Sequence, residues 1–386
     1  MHTPKTNPGL ALPHLIKWRF LLQAFPPLLF ALLLTTCSDP VEPVFRFETG
    51  FLLLEGRIVD QEGYSAIRVS RNEIIFGNYA LLPVEGLNLV SIDDAGNEVQ
   101  WSQVESTNEY RPPADFKAEA GRTYYIRAVT PQGEVVESEP ERVPATVPIA
   151  AARVQFEQEA YFSEGLDRFV PAFRLLVDLD DPADDRNFYQ WQYTAWQTID
   201  VCASCQRARW RNGECIPGPD TRFVNRWDYL CDATCWVSSR GKNLNILSDE
   251  FSQGRRITGV EAGREDFARP GGLLFEVEQY SISKKAYDYN VVLQNLAEGA
   301  SGLNAPLPAP LIGNLLDRSE NKVDVLGFVG VAALDIERVY LNRDTVNGTS
   351  LPYDGQIILE PVMPSPPVAP CEGGTRTRQR PVGWPE

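Results

Sequence analysis

From about residue 47 to residue 146 the chain alternates short apolar runs with turn-forming residues. Apolar or alternating segments fall at 51–59, 66–69, 87–92, 99–104, 124–129 and 135–137. Successive side chains of a strand point to opposite faces, so short runs of this kind mark strands with at least one face buried. Asp93-Asp94-Ala95-Gly96-Asn97 and Pro131-Gln132-Gly133 supply the Gly and Asn that hairpin turns with positive φ require. Six or seven strands in about 100 residues, with no convincing helix, predict an immunoglobulin-like β-sandwich over 47–146. Pro140, Pro144 and Pro148 then predict a stiff linker, because proline fixes φ and donates no backbone hydrogen bond.

The region 149–386 also opens with strand patterns, at 152–156, 169–179 and 188–196, and shows further β runs at 273–282 and 325–334. Between these last two the period changes. Ala286, Tyr289, Leu293 and Leu296 recur at helical spacing behind Ser283, a residue whose hydroxyl can cap a helix N-terminus. One short helix is therefore expected over 283–296, followed by a proline-rich loop at 304–310. The expected fold is mainly β. An N-terminal immunoglobulin-like β-sandwich precedes a second β-sandwich-like domain that carries one short helix and a disulfide-rich insertion at about 200–240.

The first 36 residues have a different character. Lys5, Lys17 and Arg19 are their only charges, an apolar stretch runs from 20 to 34, and the segment ends in Leu33-Leu34-Thr35-Thr36-Cys37. A basic flank, an apolar run and small residues before a cut describe an export signal. The cysteine that follows makes the segment a lipobox, so residues 1–36 are expected to be removed and Cys37 to carry a lipid anchor. Residues 37–46, with Pro40 and Pro43, then form a tether. A spanning anchor and an ordinary cleaved signal are the alternatives. Against the first, Pro26 and Pro27 interrupt the run, which is shorter than the roughly 20 apolar residues that cross a bilayer.

Removing this leader changes the composition. The chain of 386 residues has a net charge of −16, and loss of three basic residues makes it −19. Phosphate binding depends on clustered Lys and Arg, so this balance argues against a nucleic-acid partner. Both histidines, His2 and His14, lie in the leader. The mature chain therefore lacks the imidazole that His-ligated zinc hydrolases, Ser-His-Asp triads and Cys-His pairs require. No catalytic motif and no cofactor motif stand out, and the expectation is a protein that is not an enzyme.

Six cysteines remain after Cys37: Cys202, Cys205, Cys215, Cys231, Cys235 and Cys371. The spacing of the first five can be read as a thiolate zinc site. In an exported chain an even set of cysteines points instead to a disulfide framework, whose connectivity the sequence does not resolve. A thioredoxin-type redox pair would sit where a strand feeds a helix, whereas Cys202 and Cys205 flank Ala203-Ser204 in an irregular insertion. Cys371 is a candidate to tie the C-terminal tail to that insertion. Trp210 and Trp227, inside it, are weak candidates for stacking on a ligand, with burial as the competing role. Trp191 belongs to the alternating run Tyr189-Gln190-Trp191-Gln192-Tyr193 and is expected in the core. The densest acidic cluster spans 178–185. Asp178, Asp180, Asp181 and Asp184 are weak Ca²⁺ candidates and offer a carboxylate pair for glycoside hydrolysis, but a strand end followed by Asp-Pro and a polar turn explains the same residues.

Several of these features together resemble the Bacteroidota lipoprotein family known as domain of unknown function 4249. The resemblance rests on Phe51-Leu52-Leu53-Leu54-Glu55-Gly56, on Asp181-Pro182 with Asn187-Phe188-Tyr189-Gln190-Trp191, and on Cys235-Trp236 ahead of Ile246-Leu247-Ser248-Asp249. It rests above all on Tyr280-Ser281-Ile282-Ser283-Lys284-Lys285-Ala286-Tyr287-Asp288-Tyr289, and also on Cys371-Glu372-Gly373-Gly374-Thr375 with Pro381 and Trp384. It implies an outer-membrane accessory lipoprotein that works beside a TonB-dependent receptor in capture or uptake of a small-molecule, glycan or peptide ligand. No catalytic residues come with it. A carboxylate-dependent glycan hydrolase and a structural or adhesive surface lipoprotein are the alternative functions.

Overall fold

The computed structural model describes residues 50–183, 185–206, 208–211, 214–217, 227–299, 311, 313–320, 322–352, 371 and 374–386. The expected leader, Cys37 and the tether lie outside them. The described residues fall in one unit, Thr49–Glu386.

The first part of the chain forms β1 (Leu52–Val59), β2 (Ala66–Ile75), β3 (Asn78–Pro83), β4 (Asn88–Asp93), β5 (Glu98–Gln103), β6 (Glu109–Arg111), β7 (Thr123–Val129), β8 (Val135–Ser138) and β9 (Glu141–Arg142). The expected turn between β4 and β5 is fixed by Asp93. One of its oxygens accepts from the backbone N–H groups of Ala95 and Asn97 at 2.9 and 2.8 Å, and Gly96 takes φ +82°. β5 changes partner along its length, pairing β4 at Glu98–Trp101 and β6 at Ser102–Gln103. It thereby links the two faces of a sandwich whose core holds Leu54, Ile67, Leu89, Trp101 and Ile126.

The second part forms β10 (Ile149–Ser163), β11 (Arg168–Asp180), β12 (Phe188–Gln206), β13 (Arg209–Arg211), β14 (Glu214–Ile216), β15 (Trp227–Arg240), β16 (Asn245–Ser248), β17 (Arg256–Asp266) and β18 (Gly272–Ile282). Helix α1 (Lys284–Gly299), β19 (Leu315–Asp317), β20 (Val325–Asn342) and β21 (Arg376–Thr377) complete it. β10, β11 and β17 make a three-stranded sheet. Its central strand, β11, is mostly apolar and packs Phe173, Leu175 and Val177 with Trp191 of β12 and Phe275 of β18 in a second core. Helix α1 starts where the sequence predicts: the Ser283 hydroxyl accepts from the Ala286 N–H at 3.1 Å. Among the described residues no helix is long and apolar enough to cross a membrane.

The mainly β fold with sandwich-like packing and one helix is as expected, but three local readings need correction. The first sandwich is not complete at residue 146. Its strand β1 runs parallel to β20, Leu52 beside Val325 through Val59 beside Ala332, and β19 adds to β8. β20 then continues antiparallel to β18, so one 16-stranded sheet runs through both regions. The close pairing of Leu54 with Gly327 requires glycine there: φ is +106° and a Cβ would lie 2.0 Å from the Leu54 carbonyl oxygen. The proline-marked segment is also no free linker, since Val143 packs in the first core and Val147 in the second. Finally, the insertion at 200–240 is not irregular along its described backbone. It is mainly the continuation of β12 and β15, paired from Thr194 with Arg240 to Gln206 with Trp227.

Candidate functional site

The strict alternation of β12 separates two environments. Tyr189, Trp191 and Tyr193 face the second core. Trp191 is fully buried, and its indole N–H donates to Gln279 at 2.8 Å while the Gln279 amide donates to the Val147 carbonyl at 2.8 Å. The intervening Gln190 and Gln192 point to the other side of the sheet, where they sit beside Tyr280 and Glu278 of β18. Those residues line a cavity of about 460 Å³ together with Arg57 of β1, Arg68 of β2, Arg240 of β15, the 328–332 segment of β20 and Ala286, Tyr289 and Leu293 of α1. This is within the size range of small-molecule sites.

Charges in the cleft are unequally matched. Glu278, almost wholly buried, accepts from the Tyr280 hydroxyl at 2.6 Å and from Arg240 at 3.2 Å. Arg240 donates in addition to Gln192 at 2.6 Å. Glu109 pairs with Arg111 at 2.6 Å on the rim. Arg57 has no such partner. Its guanidinium carbon lies 4.1 Å from the centre of the Tyr280 ring, and its buried Nη1 meets no protein acceptor. Burial lowers the Arg57 pKa, opposed by the neighbouring Tyr280 and Glu278. The Tyr280 hydroxyl is itself pushed well above the usual phenol range by burial. The Tyr289 hydroxyl also has no protein partner, and burial pushes its pKa up to about 12. A neutral stacking face with a charged donor beside it can hold an anion, whereas Glu278, already ion-paired, is an acceptor for hydroxyl or amide groups.

The residues singled out in the sequence lie elsewhere. Cys235 and Cys371 form a disulfide, with Cα atoms 5.7 Å apart across 136 residues of sequence, and this ties the tail to β15 as expected. Cys215 is also disulfide-bonded. The side chains of Cys202, Cys205, Cys231, Trp210 and Trp227 are outside the described residues, as is Asp184. The remaining acidic candidates are held by protein groups. Asp178 accepts from Arg153 at 2.7 Å and from the Gly259 N–H at 2.8 Å, which holds its carboxyl below the usual range. Asp180 pairs with Arg256 at 3.2 Å. Asp181 is buried between the Tyr189 hydroxyl, at 2.5 Å, and the Gly254 N–H, at 2.9 Å. Among the described residues no group of three or more His, Cys, Asp or Glu side chains is placed to hold a metal ion.

The cleft residues carry little sequence signal. Arg57 is one charge inside a strand, and its burial depends on β20 and α1, more than 200 residues away. The alternation of Gln190 and Gln192 with aromatics was the available clue. Comparison with known proteins gives a family and no activity. No curated protein matches the chain. A family model described as a domain of unknown function, DUF4249, matches residues 38–337, most of the chain, so this protein belongs to the DUF4249 family.

Proposed function

We propose that this protein is an accessory lipoprotein of the outer membrane, held by lipid on Cys37, that helps a TonB-dependent receptor capture or take up a nutrient and catalyses no reaction itself. The observation that carries the capture role is the cleft beside Arg57: a polar cavity, open to solvent on one side, into which a guanidinium presents a buried N–H with no protein acceptor. Its titratable lining consists of Arg, Glu and Tyr, and its buried carboxylate, Glu278, is engaged with Arg240. That composition suits holding a molecule better than transforming one. The lipobox ending at Cys37 supports the anchor, since a lipid-modified cysteine binds a bilayer through about 0.8 kcal/mol for each buried methylene. The histidine-free mature sequence supports the absence of imidazole chemistry.

The reading is tested in cells that make the protein. A tagged chain purified from outer membranes is expected to bring with it a plug-and-barrel receptor, and Cys37→Ala is expected to release the chain from the membrane fraction. Recovery of the chain alone, with unchanged nutrient uptake after its deletion, would overturn the accessory role.

A further inference from the structure

We infer that the cleft binds a small monoanion through its carboxylate, and that Arg57 is the group that holds it. This deepens the capture role and rests on the cleft being its ligand site.

Arg57 has the chemistry of a receptor group and lacks that of a structural one. A structural arginine in this fold looks like Arg343, which is buried and donates to Gln197 at 2.7 Å and to the carbonyls of Pro270, Gly271 and Gly272 at 2.9 to 3.0 Å, whereas Arg57 is half-buried with its Nη1 enclosed and unbonded. Arg57 makes none of these bonds, although it emerges from β1 into the same sheet. A guanidinium cannot shed its proton in a protein, so burial cannot be relieved by neutralisation. It must be met by an acceptor. Tyr280 covers one face of the guanidinium, which leaves the in-plane N–H groups for bonding, and a carboxylate matches that fork with two parallel hydrogen bonds.

Charge fixes the valence of the ligand. The protein as a whole is strongly acidic, yet the cleft lining holds four arginines, at 57, 68, 111 and 240, against Glu55, Glu109 and Glu278. With Glu278 paired to Arg240 and Glu109 to Arg111, the surplus is a single positive charge beside buried carboxylate. One negative charge is welcome there. A dianion such as phosphate would face Glu278 and Glu55 without a second free cation in the buried part of the site. Gln190 and Gln192, on β12 beside Tyr280 and Glu278 of β18, provide amide groups that can bond hydroxyls of the same ligand.

The test uses the full chain purified from membranes in detergent and isothermal calorimetry, with matched probes: D-galacturonate against D-galactose, benzoate against benzyl alcohol, and inorganic phosphate. At least one carboxylate is expected to bind, with its neutral counterpart and phosphate about 30-fold weaker or more. Arg57→Met is expected to lose carboxylate binding by a similar factor. Arg57→Lys, which keeps the charge but not the fork, should fall between them. Circular dichroism establishes that both variants are folded. Equal binding of a neutral probe, with no change in Arg57→Met, would overturn the carboxylate assignment while leaving the cleft as a capture site. Failure of every probe to bind would overturn the assignment and the capture reading of the cleft together, whereas receptor co-purification tests the accessory role separately.

Discussion

Arg57 stacks on Tyr280, its guanidinium carbon 4.1 Å from the ring centre, and the Tyr280 hydroxyl in turn donates to Glu278 at 2.6 Å. The ring and the hydroxyl therefore do different things, and two substitutions separate them. Tyr280→Phe keeps the platform and removes one hydrogen bond to a carboxylate, for an expected loss of about 1 kcal/mol. Tyr280→Leu also removes the cation–π contact and part of the packing, for about 3 kcal/mol in all. Urea unfolding measures both. Equal losses would mean that the ring does not support Arg57.

Asp181 is expected to be structural. Replacing it with Ala strands the buried Tyr189 hydroxyl and the Gly254 N–H, at about 3 kcal/mol, because a buried donor without a partner loses its desolvation energy. Asp180→Ala breaks only an exposed pair with Arg256 and should change stability by less than about 0.5 kcal/mol. Neither added Ca²⁺ nor a chelator should move the melting temperature. A calcium-dependent rise abolished by Asp181→Ala would show that the cluster binds metal.

The Cys235–Cys371 bond closes a long loop and fastens the tail. Beyond it, Thr377 pairs with Trp236, and the Trp384 ring stacks edge-on against Tyr340 at 5.2 Å. Cys371→Ser is expected to cost about 4 kcal/mol by loop entropy, and hydrogen exchange should rise in 374–386 and along β15. Unchanged exchange in the tail would show that its side-chain packing suffices.

Glu141 gives the fold a pH dependence. Burial raises its pKa from an ordinary 4.5 to about 7, against the N–H of Val331 and the nearby Ser283 and Lys285, which lower it. The folded chain holds this proton more tightly than the unfolded chain. Its contribution is therefore greatest below about pH 4.5, falls as pH rises to about 7 and is constant above that. The fall is at most about 3 kcal/mol. Glu141→Gln should flatten this part of the stability profile relative to the natural chain. A profile parallel to that of the natural chain between pH 4.5 and 7 would rule Glu141 out as its source.

How far the sequence discloses this protein depends on whether the determining contacts are local. The helix at 284–299 was legible because its cap, Ser283, and its apolar spacing are adjacent in the chain. Trp191 was legible as core because alternation along β12 reports which face is buried. The joining of the two regions was not, because β1 and β20 pair in parallel across more than 250 residues and parallel pairing leaves no turn in the sequence. Extension of β12 and β15 into the cysteine-rich segment was masked by composition: Arg, Cys and Trp suggest an irregular loop, while cross-strand pairing supplies the order. The cleft was the least legible feature. Its parts come from seven strands and a helix, and the decisive property of Arg57 is a bond it does not make.

That property can be measured directly by equilibrium unfolding of the natural chain and of Arg57→Met, both without ligand. A half-buried cation whose buried N–H is kept unpaired for a ligand weakens the fold, and replacing such a charge by an apolar side chain of similar length is often stabilising. Arg57→Met is therefore expected to be more stable than the natural chain, by about 1 kcal/mol. Equal or lower stability would mean that Arg57 serves the fold, and would contradict its role as the group held ready for a ligand.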